Sequence, residues 1–138
     1  MFRNPFLSLL LLSVALSACQ TTNASATAAI QAHQPGILLA GWADADTLAA
    51  LTAPDKTMDR QAENRAFVAP VAQQITWHNP DSGVAGGHAG TITATREFYA
   101  PNGTYCREFL QTLTLGGQKL QGRDKACQKP DGSWNIAQ

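Results

Sequence analysis

Three side chains within eleven residues, His78, Asp81 and His88, have the composition of a two-histidine, one-carboxylate metal site. Ser82, between the two histidines, adds a hydroxyl that an imidazole could activate. Both ideas meet a plainer reading. Asn79-Pro80-Asp81-Ser82-Gly83 is turn material, because Pro presets φ and Asp bonds its own backbone, and the histidines need not face one another. No nucleophile elbow surrounds Ser82. The stretch from Gly83 to Gly90 is glycine-dense but lacks the Lys-Ser/Thr of a phosphate loop, so it reads as a hairpin tip. Trp77, His78, Asn79, Asp81, Gly83 and His88 are accordingly held as a candidate contact loop without a metal, a cofactor or a catalytic role.

A different chemistry is written at the start. Phe6 to Leu16 is an apolar run of eleven residues after one cation, Arg3, too short to span a bilayer and suited to a signal peptide. Leu16-Ser17-Ala18-Cys19 matches the bacterial lipobox, in which the Cys thiol takes a diacylglycerol before cleavage ahead of it. Acylated Cys19 would hold the mature protein in membrane lipid. Gln20 is not the Asp that retains many lipoproteins at the inner membrane, so delivery to the outer membrane is expected, with the domain facing the periplasm or the surface. Export also decides the remaining thiols. Cys106 and Cys127 form an even remainder in an oxidising compartment and are expected to pair as a disulfide, not as a redox couple, since they are no Cys-x-x-Cys.

Composition narrows the function. The 138 residues carry 10 basic and 10 acidic side chains with no basic cluster, which leaves nothing for electrostatic capture of nucleic acid or of an acidic membrane surface. Removing Arg3 with the signal gives nine basic and ten acidic residues. The division expected is a cleaved signal over 1–18, a lipidated Cys and flexible tether over 19–51, and a folded domain over 52–138. Residues 20–36 are small, polar and uncharged, while Ile37 to Trp42 is a short apolar patch and Ala43 to Leu51 suits a helical turn or two.

The elements that position these residues follow from turn chemistry. Thr52-Ala-Pro-Asp55 supplies a cap, an early Pro and an acid, predicting a helix from Thr52 to Ala69 with Met58, Ala62, Ala66, Ala69 and neighbouring Phe67 as its apolar stripe. Strands are predicted at 75–78, 91–99, 105–115, 119–127 and 133–137. A two-residue turn at Gly116-Gly117 requires partners with i + j = 233, which opposes Leu113 with Leu120, Glu108 with Lys125 and Cys106 with Cys127. The cysteines form a non-hydrogen-bonded pair with Cα atoms about 4.5 Å apart, a distance a disulfide can bridge. At Ala100-Pro-Asn-Gly-Thr104, Pro101 cannot donate in a tighter hairpin, so a type I turn with left-handed Gly103 pairs Arg96 with Glu108. Lys129-Pro-Asp-Gly-Ser133 repeats that chemistry and pairs Ala126 with Ile136 and Gln128 with Trp134. One face then collects Phe109, Leu113, Leu120, Ala126, Trp134 and Ile136; the other carries Arg96, Glu108, Lys125 and the disulfide. The fold class predicted is α+β, an antiparallel meander of four to five strands with one N-terminal helix packed on it.

Trp77-His-Asn-Pro-Asp-Ser-Gly83, Tyr105-Cys-Arg-Glu-Phe109, Gly116-Gly117, Ala126-Cys127 and Pro130-Asp-Gly-Ser-Trp134 together resemble the C-terminal domain of the rickettsial-type seventeen-kilodalton surface antigen lipoproteins over about residues 55 to 137. The resemblance implies an outer-membrane lipoprotein with no established enzymatic activity. Many members carry a glycine zipper before this domain, whereas Gln20 to Leu51 holds only Gly36 and Gly41. The leading expectation is a lipid-anchored envelope protein with a structural or binding role, its partner an envelope protein or the cell wall. A small periplasmic inhibitor or accessory subunit is the alternative, and a metal-dependent enzyme the third.

Overall fold

The computed structural model describes residues 34–137. The signal peptide, Cys19 and the tether up to residue 33 lie outside the described residues. Three helices precede five strands: α1 (Ile37–Trp42), α2 (Ala45–Ala50), α3 (Ala53–Ala66), β1 (Gln74–Asn79), β2 (His88–Tyr99), β3 (Tyr105–Leu115), β4 (Gln118–Gln128) and β5 (Trp134–Ile136). The strands form one antiparallel sheet in the order β1-β2-β3-β4-β5, the meander expected.

The registers follow the turns. Cys106 faces Cys127, Glu108 faces Lys125 and Leu113 faces Leu120 across the Gly116-Gly117 turn. Cys106 and Cys127 are joined as a disulfide with Cα atoms 4.0 Å apart. Arg96 opposes Glu108, and Gly103 is left-handed at φ 83°. Ala126 opposes Ile136 and Gln128 opposes Trp134. One irregularity was not predicted: the β2–β3 register slips between Ala94 and Arg96, leaving Thr95 unpaired in a bulge. β2 also begins at His88, three residues before the expected Thr91, because Asn79 of β1 pairs with His88 and so extends the hairpin.

Two helices, α1 and α3, pack on the sheet where one was expected, and α2 joins them with no buried residue of its own. Thr52 caps α3 through a complete capping box with Asp55, as the sequence implied. The helix ends at Ala66, not Ala69. Arg107, reaching across from β3, donates to the carbonyls of Ala66 at 3.0 Å, Phe67 at 2.9 Å and Ala69 at 2.7 Å, and so satisfies acceptors that the ending helix leaves without partners. Ile37 to Leu51, whose role the sequence left open, contributes Leu38, Leu39 and Leu51 to the core. They pack with Ala62, Ala66 and Phe67 against Trp77, Ile92, Ala94, Phe109, Leu113 and Ala126. Leu120, Trp134 and Ile136 are partly buried at its margin. Among the described residues, no helix is long and apolar enough to cross a membrane.

Candidate functional site

The face that α3 turns toward the sheet keeps Ala62 and Ala66 of the stripe the sequence suggested, with Phe67 beyond them and Met58 only partly buried, but three acids share that face. Its buried residues are Asp55, Asp59, Ala62, Glu63 and Ala66, and the three acids keep 0%, 0% and 1% of their surface. Spaced four apart, they line one side of the helix. Each is buried because the sheet and α1 bring it polar partners from elsewhere in the chain.

At the N-terminal end, Asp55 accepts from the Thr52 backbone N–H at 2.7 Å, from Asn79 Nδ2 at 2.7 Å and from His88 Nδ1 at 2.7 Å. Burial alone would push this carboxyl up, but the bonds from His88, Asn79 and Thr52 outweigh it and hold Asp55 below the ordinary aspartate value. A carboxylate in the first helical turn also complements the helix dipole. At the other end, Arg107 places a buried cation against the C-terminal carbonyls. Thus α3 is fastened at both ends by charge of the matching sign.

Between them, Asp59 accepts from Trp77 Nε1 at 3.2 Å and from Gln111 Nε2 at 2.7 Å. Gln111 Oε1 in turn accepts from Trp42 Nε1 at 2.9 Å, so a chain of bonds runs from α1 through β3 to α3. Glu63 accepts from the Leu39 backbone N–H at 2.9 Å, and its carboxyl interacts with that of Asp59 one turn away. Burial raises both carboxyls above their ordinary values, and the neighbouring Asp59 charge raises Glu63 further. Two glycines make the indoles fit: Trp77 lies over Gly90 and Trp42 over Gly122, where any Cβ would collide with the ring.

The six residues of the candidate contact loop separate. His78, Asp81 and Gly83 are exposed, whereas Trp77, Asn79 and His88 are buried under α3. Strand alternation sends His78 to the opposite sheet face from Trp77 and Asn79, and His88, paired with Asn79, turns inward to Asp55. The metal arrangement of His78, Asp81 and His88 is therefore not assembled, and among the described residues no cluster of three or more His, Cys, Asp or Glu side chains is arranged to hold a metal. The Asp59–Glu63 pair resembles an acid–base dyad in composition only. Asp59 is fully buried, and the groove over Gln34 to Ile37 meets only the edge of Glu63. What the arrangement does is fasten α1 and α3 to the sheet. Asp55, Asp59, Glu63, Arg107 and Gln111 were missed from the sequence; the detectable signal was three acids at i, i+4 and i+8 with no lysine or arginine four residues further on from Asp55 or Glu63.

The strands that carry this layer lie in the stretch of sequence that other proteins match. Residues 66–135 match the family described as the 17 kDa outer membrane surface antigen. The chain belongs to that family. Relatives include the 17 kDa surface antigen of Rickettsia bellii (strain RML369-C), 34% identical over 83 residues, covering 59% of this chain and 50% of the relative. The 17 kDa surface antigens of Rickettsia rickettsii and Rickettsia prowazekii (strain Madrid E) are 32% identical over 83 residues and 37% over 68. These alignments cover 59% and 49% of this chain and 50% and 40% of the relatives. This chain thus spans about half the length of the curated relatives it matches. No solved structure matches it. Within the surface antigen fold, the matched region holds the sheet side of the polar layer, Trp77, His88, Arg107 and Gln111, while Asp55, Asp59 and Glu63 precede it.

Proposed function

We propose that this surface antigen family member is an outer-membrane lipoprotein, anchored through acylated Cys19, whose disulfide-bonded domain has a structural or binding role and no catalysis of its own. The observation that carries the non-catalytic part is the burial of Asp55, Asp59, Glu63 and His88, the acids and base best placed for proton transfer, as fasteners between α3 and the sheet. Catalysis needs such groups within reach of a substrate. The lipobox at Leu16 to Cys19, and the outer membrane surface antigen description of the family, support the anchor and the location.

Fractionation of cells grown with radiolabelled palmitate tests the anchor. The expected result is labelled protein in the outer membrane, and unlabelled, soluble protein after Cys19→Ala. Wild-type protein in the soluble fraction, without label, would remove the anchor.

A further inference from the structure

Five large apolar side chains are exposed among the described residues: Ile37, Val68, Val71, Val84 and Tyr99. Four of them gather at one end of the sheet. Ile37 borders a groove with Phe67 and Trp134, and Val68 and Val71 border the next one with Phe67 and Tyr105. Trp134 stacks on Phe67 with centroids 4.8 Å apart, Tyr105 meets Trp134 at 5.8 Å, and Tyr99 meets Tyr105 at 5.6 Å. The result is a continuous apron of aromatic and aliphatic side chains, with Val68 82% and Tyr99 73% exposed. Val84 stands apart, beside Gly116 at the other end of β3, about 30 Å away at roughly 3.3 Å per strand residue.

The chain enters the domain at the apron. Gln34 and Pro35 border the same groove as Trp134, and Arg60 donates to the Gln34 carbonyl at 2.9 Å. Cys19 precedes Gln34 by fifteen residues, a reach of at most about 50 Å.

From this placement we propose that the apron is a membrane-contacting surface, seated in the headgroup region of the bilayer that holds Cys19. The inference rests on the lipid-anchor reading. Trp and Tyr favour that depth because one end of each ring system is apolar and the other polar. The polar groups present suit it as well. Tyr105 donates to Glu97 at 2.7 Å, and Glu97 lies 3.7 Å from the Arg107 guanidinium, which offsets the acid that would otherwise repel anionic headgroups. Lys129 borders a shallow pocket with Tyr105. Tethering raises the local concentration of bilayer around the apron, so a weak intrinsic affinity is enough for occupancy. Seated this way, the glycine-rich loop between β1 and β2 points away from the lipid, about 30 Å out along β3.

The test uses the mature chain made without acylation, with Cys106 and Cys127 oxidised so that Cys19 is the sole thiol. It is coupled through Cys19 to maleimide phospholipid in vesicles of phosphatidylethanolamine and phosphatidylglycerol. An environment-sensitive fluorescent amino acid is placed singly at position 68, 99 or 81. Emission at 68 and 99 is expected to shift to the blue and to be quenched by brominated lipids several-fold more than at 81, and Tyr99→Glu is expected to reduce the quenching at 68. Equal quenching at all three positions, high or low, overturns the proposal. So does protection of 68 and 99 by purified cell-wall sacculi and not by vesicles, which would make the occupant a glycan. Because the tether here is chemical, failure of cellular acylation is read separately, by the absence of palmitate on Cys19.

Discussion

Glu63 and Asp59 lie one helical turn apart on the buried face of α3, with Glu63 receiving the Leu39 N–H and Asp59 the side chains of Trp77 and Gln111. Two carboxyls raised by burial therefore meet at the junction of α1, α3 and the sheet.

Their titration makes stability pH-dependent. The folded pair binds protons up to about 6 for Asp59 and about 8 for Glu63, while the unfolded chain releases them near ordinary carboxyl values. A raised carboxyl gives stability that is full below the unfolded pKa and is lost as pH rises through the folded one, so this contribution declines from about pH 4 to pH 8. Asp55, held low, acts in the opposite sense and loses its contribution only on stronger acidification. Glu63→Gln keeps a donor for Asp59 and an acceptor for Leu39. Urea unfolding at pH 5 and pH 8 is expected to show a smaller decline for this variant than for wild type, by about 1 kcal/mol or more. Parallel declines would contradict the raised Glu63 carboxyl.

Arg107→Ala strips three carbonyls at the end of α3 of their donor. Buried acceptors left without partners cost about 1–3 kcal/mol, so a loss of about 2–4 kcal/mol in chemical denaturation is expected. Arg107→Lys should recover only part of it, because one ammonium lacks the planar fork that reaches all three. Full recovery by Lys would reduce the role of Arg107 to charge alone.

At Gly90 and Gly122, Ala would push against the indoles of Trp77 and Trp42. Each substitution is expected to lower stability by about 1–3 kcal/mol and to change the near-ultraviolet circular dichroism of the tryptophans. An unchanged spectrum would mean that the rings do not rest on the glycines.

Opening the disulfide with Cys106→Ser should cost about 3 kcal/mol, the chain-entropy value for its separation of 21 residues. Arg96→Ala, on the same sheet face, should cost less than about 1 kcal/mol despite the two bonds to Glu108, because Arg96 is 59% exposed. Melting temperatures of the two variants, measured side by side, check the contrast.

The sheet was legible because three turns convert to integers. Gly116-Gly117, Pro101 to Gly103 and Pro130 to Gly132 each set a register, and with it the cross-strand meeting of Cys106 and Cys127 and the pairing of Arg96 with Glu108. The bulge at Thr95 carries no such mark, so the register shift was not seen. The helix side was read less well for a different reason. Hydrophobic periodicity counts a carboxylate as solvent-facing, and the groups that make Asp59 buriable stand 18 and 52 residues further along the chain. Met58, assigned to the buried stripe, is only partly buried, and Trp77, Asn79 and His88 left the contact loop because their partner Asp55 or Asp59 lies in α3.

The bond from Trp42 to Gln111 spans 69 residues, the longest of the hydrogen bonds described here. Trp42 leaves the ribosome before its partner, so the indole and the apolar Leu38 and Leu39 beside it have no seat until β3 and β4 have been made. The β3–β4 hairpin, by contrast, needs only neighbours in sequence and can close at once. Docking of α1 therefore depends on strands made later than itself, the opposite of the local closure open to that hairpin.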